Sequence, residues 1–198
     1  LTTVNWLVEN ELNNKMANDL IDTSSQFCPH YVRKCALVCP CCNKIYRCRL
    51  CHNAVEINHE LNRKTVQRIK CLQCGVIQAV APKCSSCLIT FGLYYCETCR
   101  LFDDNDKGQF HCTKCGLCRV GGRENYCHCN QCGICFKVGF THKCIEQCSS
   151  SDCPICLQDL HSCGECQKLI CGHLIHATCY RELRQKFKSI CPLCATKI

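Results

Sequence analysis

The sequence predicts a small multi-domain protein, loop-rich with short β segments, cross-linked through its side chains instead of built round a large apolar core. Three observations predict it. Thirty of the 198 residues are Cys. With these set aside, the apolar share falls well below that of an ordinary globular domain, and there is one Trp and one Met. Twelve Cys-x2-Cys pairs run along the chain, and eight of the nine His lie at ligand-like distances from a Cys.

The spacing selects metal over disulfides. Two Cys separated by two residues reach one Zn²⁺ from a tight turn, whereas secreted disulfide frameworks neither need such pairs nor recruit His. No basic segment followed by an apolar core opens the chain, and no run of 18 apolar residues occurs, so neither secretion nor membrane spanning is supported. The expected compartment is reducing, cytoplasm or nucleus. The formal charge of +8 suggests nucleic acid until the metal is counted. Twenty-four thiolates on eight Zn²⁺ contribute about −8, which brings the sum near zero and disfavours a basic nucleic-acid footprint. Arg63, Lys64, Arg68 and Lys70 form the only basic cluster, which reads as a solvated face.

The elements follow in order. Residues 1–27 lack Cys, and Val8, Leu12, Met16 and Leu20 recur every four residues, consistent with a short amphipathic helix or a weakly ordered tail. A Cys/His block spans 28–90. In 91–144 an internal repeat appears: His111-Cys112-x2-Cys115-x2-Cys118 returns 17 residues later as His128-Cys129-x2-Cys132-x2-Cys135. Cys96 and Cys99 precede it, and His142 and Cys144 follow. These twelve ligands suffice for three Zn²⁺, with one unit completing the site of the next. Residues 145–152 are small and polar and read as a linker. The last block, 153–195, spells Cys153-x2-Cys156, x14, Cys171-x-His173-x2-His176-x2-Cys179, x11, Cys191-x2-Cys194. A helix over about 177–188 would put Tyr180, Leu183 and Phe187 on one side.

The last block resembles a RING finger in the order and spacing of all eight ligands. The first block, with Cys28-Pro-His30-Tyr31-Val-Arg33-Lys-Cys35, Cys41-Cys42, Cys48-x2-Cys51-His52, His59, Cys71-x2-Cys74 and Cys84-x2-Cys87, resembles the CHY-type zinc finger. The repeat resembles the CTCHY-type finger. This succession is that of the ring finger and CHY zinc finger E3 ubiquitin ligases, over residues 28–196. The resemblance implies Cys28, His30, Cys41, Cys42, Cys48, Cys51, His52, His59, Cys71, Cys74, Cys84 and Cys87 as ligands of three Zn²⁺ in the first block. It implies a ββα cross-brace in the RING: Cys153, Cys156, His176 and Cys179 on one Zn²⁺, Cys171, His173, Cys191 and Cys194 on the other. About eight Zn²⁺ are expected in all.

The resemblance further implies a ligase that recruits protein substrates through its CHY and CTCHY part and binds a ubiquitin-charged conjugating enzyme through its RING. The contact surface would be Ile155, Leu183, Pro192 and Leu193, unless Leu183 turns inward against Tyr180 and Phe187. No residue here would carry ubiquitin covalently. Ala195 stands where many active RINGs have a basic residue, which leaves a second reading open: a zinc-scaffolded interaction module without ligase activity. Six Cys fall outside the ligand sets. Cys35 could replace one of the twelve in the first block, Cys39 reads as a plain thiol, Cys127 has no role, and Cys163 and Cys166 with His161 and Cys148 could hold a further metal or stay reduced.

Overall fold

The computed structural model describes residues 20–24, 27–160, 165–186 and 189–198. They divide into two compact units, Leu1–Asp106 and Lys107–Ile198. Val8, Leu12 and Met16 of the expected N-terminal helix lie outside the described residues, as do His161, Cys163 and Phe187. None of the described helices is long and apolar enough to cross a membrane.

The first unit contains β1 (Ile21–Asp22), β2 (Cys35–Val38), β3 (Lys44–Tyr46), helix α1 (Arg49–Val55), β4 (Arg68–Cys71), β5 (Ile77–Ala79), β6 (Tyr94–Cys96) and β7 (Leu101–Asp103). Five strands form one sheet in the order β1-β3-β2-β4-β5. Only β1 joins it in parallel. The sequence Cys-Ala-Leu-Val of β2 is apolar at every position because the strand is central and covered on both faces. Cys35 and Leu37 point to one side, where Ile69, Leu61, Val66, Phe91 and Phe102 close the main core. Ala36 and Val38 point to the other, against Ile45, Leu20 and Ile77. Phe91 and Phe102 meet edge to face, with centroids 6.0 Å apart, and Tyr95 leans on Phe102 at 4.9 Å. Gly92 is required by that packing: a Cβ there would stand 2.9 Å from the backbone N and O of Asp103.

The short β segments expected of the chain are present, and in the first block five of them join into one sheet. The units divide after Asp106, since Phe91 and Phe102 bury their rings in the first core.

The second unit contains β8 (Phe110–Cys112), β9 (Leu117–Arg119), β10 (Tyr126–Cys129), β11 (Ile134–Lys137), β12 (Cys166–Lys168), β13 (Leu174–His176) and helix α2 (Ala177–Gln185). Each strand pair is a separate antiparallel ladder. The internal repeat becomes two hairpins of matching register: His111 faces Cys118 and Cys112 faces Leu117, just as His128 faces Cys135 and Cys129 faces Ile134. The second hairpin shares one core with the C-terminal block, uniting Cys132, Ile134 and Cys148 with Leu160, Leu169, Leu174, Ile175 and Leu183.

Residues 145–152, expected as a linker, run across that junction as part of it. Gln147 N donates to Gln131 O at 2.7 Å, and Ser149 Oγ donates to Gly133 O at 3.0 Å. Cys148 and Ser149 are buried. Gly172 permits the close approach, since a Cβ there would lie 2.8 Å from Lys143 O.

Candidate metal centres

One loop geometry recurs through both units. Of the Cys-x2-Cys pairs, those ending at Cys42, Cys74, Cys87, Cys99, Cys132, Cys156 and Cys194, and the pair Cys112–Cys115, are each followed by a left-handed residue: Asn43, Gly75, Leu88, Arg100, Gly133, Leu157, Ala195 and Gly116. Except at Arg100, whose N–H goes to Glu97 O, the turn brings that residue's N–H onto the carbonyl of the pair's first Cys, at 3.0 Å for Gly75, 2.8 Å for Leu157 and 2.9 Å for Ala195. Backbone N–H groups then point at the first sulfur. Cys87 N and Ser86 N each lie 3.4 Å from Cys84 Sγ. Burial opposes ionisation of Cys84, but these donors bring its thiol down to about 6. Glycine fits the left-handed position without steric cost, so Leu88, Leu157 and Ala195 hold it against their own preference.

In the first unit three groups of donors converge, each with all ligand atoms within 4.8 Å of one another: Cys28, His30, Cys48 and Cys51; Cys41, Cys42, His52 and His59; Cys71, Cys74, Cys84 and Cys87. Helix α1 serves two of them. Its N-cap Cys48 and its residue Cys51 join the first group, and His52, one residue on, turns to the second. His52 Nδ1 donates to Asn53 Oδ1 at 2.9 Å, which leaves Nε2 facing Cys41 Sγ at 3.4 Å and Cys42 Sγ at 3.6 Å. His59 Nε2 is buried without a hydrogen-bond partner. An orphaned imidazole nitrogen among thiols is what a missing cation would explain. Cys96 and Cys99, at the end of β6 and in the turn after it, are both buried.

In the second unit Cys112, Cys115, His128 and Cys135 converge, so two ligands of one hairpin meet two of the next. His128 Nδ1 lies 3.2 Å from Cys115 Sγ and 3.7 Å from Cys112 Sγ. His111 Nδ1 stands 3.8 Å from Cys118 Sγ across the first hairpin. Cys144 Sγ is 3.7 Å from Cys129 Sγ and 3.5 Å from His142 Nε2, whose Nδ1 is fixed by Phe140 O at 3.3 Å. Cys132 belongs beside them. Burial works against its ionisation, but the Lys168 ammonium, 3.2 Å away, brings it down to about 6. In the last block His176 Nε2 donates to Asp159 O and presents Nδ1 to Cys156 Sγ at 3.2 Å. His173 Nδ1 lies 3.4 Å from Cys171 Sγ and 3.6 Å from Cys191 Sγ. Thr196 hydrogen bonds hold the Cys194 thiol down to about 6.

The donors fit zinc. A tetrahedral ion with Zn–S and Zn–N bonds of about 2.3 and 2.0–2.1 Å has ligand-to-ligand edges of about 3.5–3.8 Å. The distances above cluster there, whereas a disulfide needs about 2.05 Å. None of the described cysteines is in a disulfide. Bound zinc would supply cross-linking and charge neutralisation, and a centre closed by four protein donors has no position for a reactive water.

The surplus cysteines behave differently. Cys35 pairs with Cys71 across β2 and β4 and is fully buried, and burial pushes its thiol up to about 12. Burial raises Cys39 also, and its Sγ points at Leu37 O. Neither is part of the three groups named above for this unit. Cys127 is exposed on β10. Cys166 donates to Leu160 O at 3.0 Å, and Cys148 lies beside Lys168. Cys163 and His161, the other members of the further metal group expected there, lie outside the described residues.

The apolar surface of the last block needs one correction. Leu183, expected to face a partner, is 8% exposed, because it lies one turn after Cys179 on the inward side of α2 and completes the core. Ile155 is 38% exposed, and Pro192 and Leu193 are also exposed. Leu157 went unnoticed in the sequence and is 76% exposed: the left-handed turn after Cys156 drives its side chain outward. The signal was a leucine where this turn prefers glycine. Lys168 was also missed, since nothing local distinguishes it.

Short strands and loops gathered round convergent Cys and His define the class: a cysteine-rich, zinc-binding zinc-finger protein. Residues 28–94 match the CHY zinc finger and residues 151–195 match the Ring finger domain. The E3 ubiquitin-protein ligase SRFP1 of Oryza sativa subsp. japonica is 44% identical over 86% of this chain and 68% of its own length. The E3 ubiquitin-protein ligase RZFP34 of Arabidopsis thaliana is 36% identical, covering 96% of this chain and 70% of its own. A zinc finger protein of the BRUTUS-like kind, also from Arabidopsis thaliana, is 40% identical over 86% of this chain, which spans only 14% of that protein. The chain belongs to the CHY and RING zinc-finger family of E3 ubiquitin-protein ligases and is a RING-type ubiquitin transferase of that family.

Proposed function

We propose that the chain holds about eight Zn²⁺ through the 32 Cys and His named above, three in the CHY part, three in the CTCHY repeat and two in a cross-braced RING, and uses that scaffold to promote ubiquitin transfer. The observation that carries the reading is the pair of loops 153–157 and 191–195, each closed by a backbone hydrogen bond and apolar at its exposed tip. Ile155, Pro192 and Leu193, joined by Leu157 in place of Leu183, form the contact for the conjugating enzyme. The charged enzyme carries ubiquitin as a Cys thioester. A substrate lysine amine attacks its carbonyl, and the thiolate of the conjugating enzyme leaves. This chain supplies no nucleophile; it lowers the barrier by holding thioester and amine in register. Apart from the exposed Cys127, its described thiols are assigned to metal or raised by burial, and neither state suits attack. The CHY and CTCHY part recruits the protein substrate. A reducing compartment, cytoplasm or nucleus, suits the free thiols.

Ala195 favours a second reading, a scaffold without transfer activity, because the left-handed residue after the last ligand has no side-chain donor to offer ubiquitin. Reconstituted ubiquitination with a panel of conjugating enzymes separates the two. Chain formation by the wild type is expected, with loss in Ile155→Ala at unchanged zinc content and loss in His176→Ala with zinc released. Inactivity of the wild type with every conjugating enzyme would establish the second reading.

A further inference from the structure

Four arginines of the first unit, Arg33, Arg49, Arg63 and Arg100, line one cleft, with Tyr31 beside them and leucines completing its wall. Arg33 is its floor. That side chain is only 6% exposed, and its Nε and Nη1 have no hydrogen-bond partner. Arg49 Nε and Arg100 Nε are likewise buried and unbonded. The Tyr31 ring, 5.1 Å from the Arg33 guanidinium carbon, gives that cation a π face but accepts no hydrogen bond from Nε or Nη1. Lysines make the ion pairs Lys34–Asp104, Lys44–Glu56 and Lys70–Asp22 of this unit.

Buried guanidinium donors left unpaired are costly, and four like charges round one cleft repel each other. The group Cys28, His30, Cys48 and Cys51 lies close enough for the Arg33 charge to act on Cys48. Three thiolates with one Zn²⁺ leave about one negative charge there, which offsets part of the guanidinium charge. A phosphate monoester brings about −1.5 to −2 charges and three acceptor oxygens, where a carboxylate brings one charge and two oxygens. The cleft encloses ≈10 Å³, enough for a single oxygen atom to reach Arg33. Arg49, Arg63 and Arg100 are half-buried, so their side chains can close over the oxygens that stay outside.

We infer that this cleft binds a phosphoryl group on a protein partner, a phosphorylated serine or threonine side chain. The inference rests on the CHY and CTCHY part, to which this cleft belongs, being the substrate-recruiting region.

The test uses the full zinc-loaded chain and fluorescence anisotropy of a labelled peptide carrying one phosphoserine, with its Ser and Glu counterparts and inorganic phosphate as competitor. Binding is read without any ubiquitin transfer, so its failure is distinct from a failure of ligase activity. Saturable binding displaced by phosphate is expected, about tenfold or more weaker for the Ser and Glu peptides. The same loss is expected for Arg49→Gln and Arg63→Gln at unchanged zinc content. These half-exposed sites are substituted in place of Arg33, whose loss could unfold the unit. Equal binding of the Glu peptide would identify a merely acidic ligand and overturn the inference. So would absence of binding, or affinity unchanged in both variants.

Discussion

The two units bring the same kind of donors together by different means. The first places its groups round a five-stranded sheet with apolar side chains on both faces. The second has only two-stranded ladders, and two-stranded ladders are marginal in water without further support. Its hairpins are joined by donors that cross from one repeat to the next, and its largest core is one to which cysteines contribute as much as leucines. In the first unit metal secures a sheet that hydrophobic burial has begun; in the second it replaces the sheet. A structural zinc in a small finger is worth about 10–16 kcal/mol, which exceeds what most such cores supply.

Chelation should break the comparison most sharply. Removing zinc should bring the amides of β8 to β13 to exchange rates of an unfolded chain, while the β2–β4 ladder keeps measurable protection. Hydrogen exchange followed by mass spectrometry reads both, and equal loss in both units would erase the distinction. Next in size is Phe102→Ala, which should cost about 3–5 kcal/mol and act only on the first unit. Denaturant unfolding with exchange readout checks where the loss falls.

Lys168→Met addresses the second unit. Lys168 is 7% exposed, with its ammonium 3.2 Å from Cys132 Sγ, 3.4 Å from Cys148 Sγ and 5.2 Å from the centroid of Phe136. It reaches from the RING into the preceding finger. Its loss should destabilise this unit by about 1.5–3 kcal/mol, the value of a charge-assisted hydrogen bond, and lower its melting temperature with the first unit unmoved. Smallest should be Leu88→Gly, which relieves an exposed left-handed leucine and raises stability by no more than about 1 kcal/mol in thermal melts.

What could be read from the sequence follows how local each feature is. A Cys-x2-Cys loop is built from its own backbone, so the candidate donors and the internal repeat were plain in the spacing. The sheet was obscured because the short apolar run Ala36, Leu37 and Val38, buried on both faces, lies between cysteines that read as a metal block. The linker reading of 145–152 failed to anticipate its burial because small polar residues look alike whether solvated or hydrogen-bonded across a junction. Leu183 carried two meanings on one helix, and only the neighbours of α2 chose between them.

By itself the sequence determined the chemistry: sulfur and imidazole at spacings that grip a divalent ion, in an order shared with a ligase family. Tertiary structure decided the companionship of those donors, such as Cys41 and Cys42 with His52 and His59. It also decided which apolar side chains were left for partners and that four arginines should share one cleft. The reason is physical: a bond angle at a turn is fixed within a few residues, whereas burial and charge depend on what distant segments bring alongside.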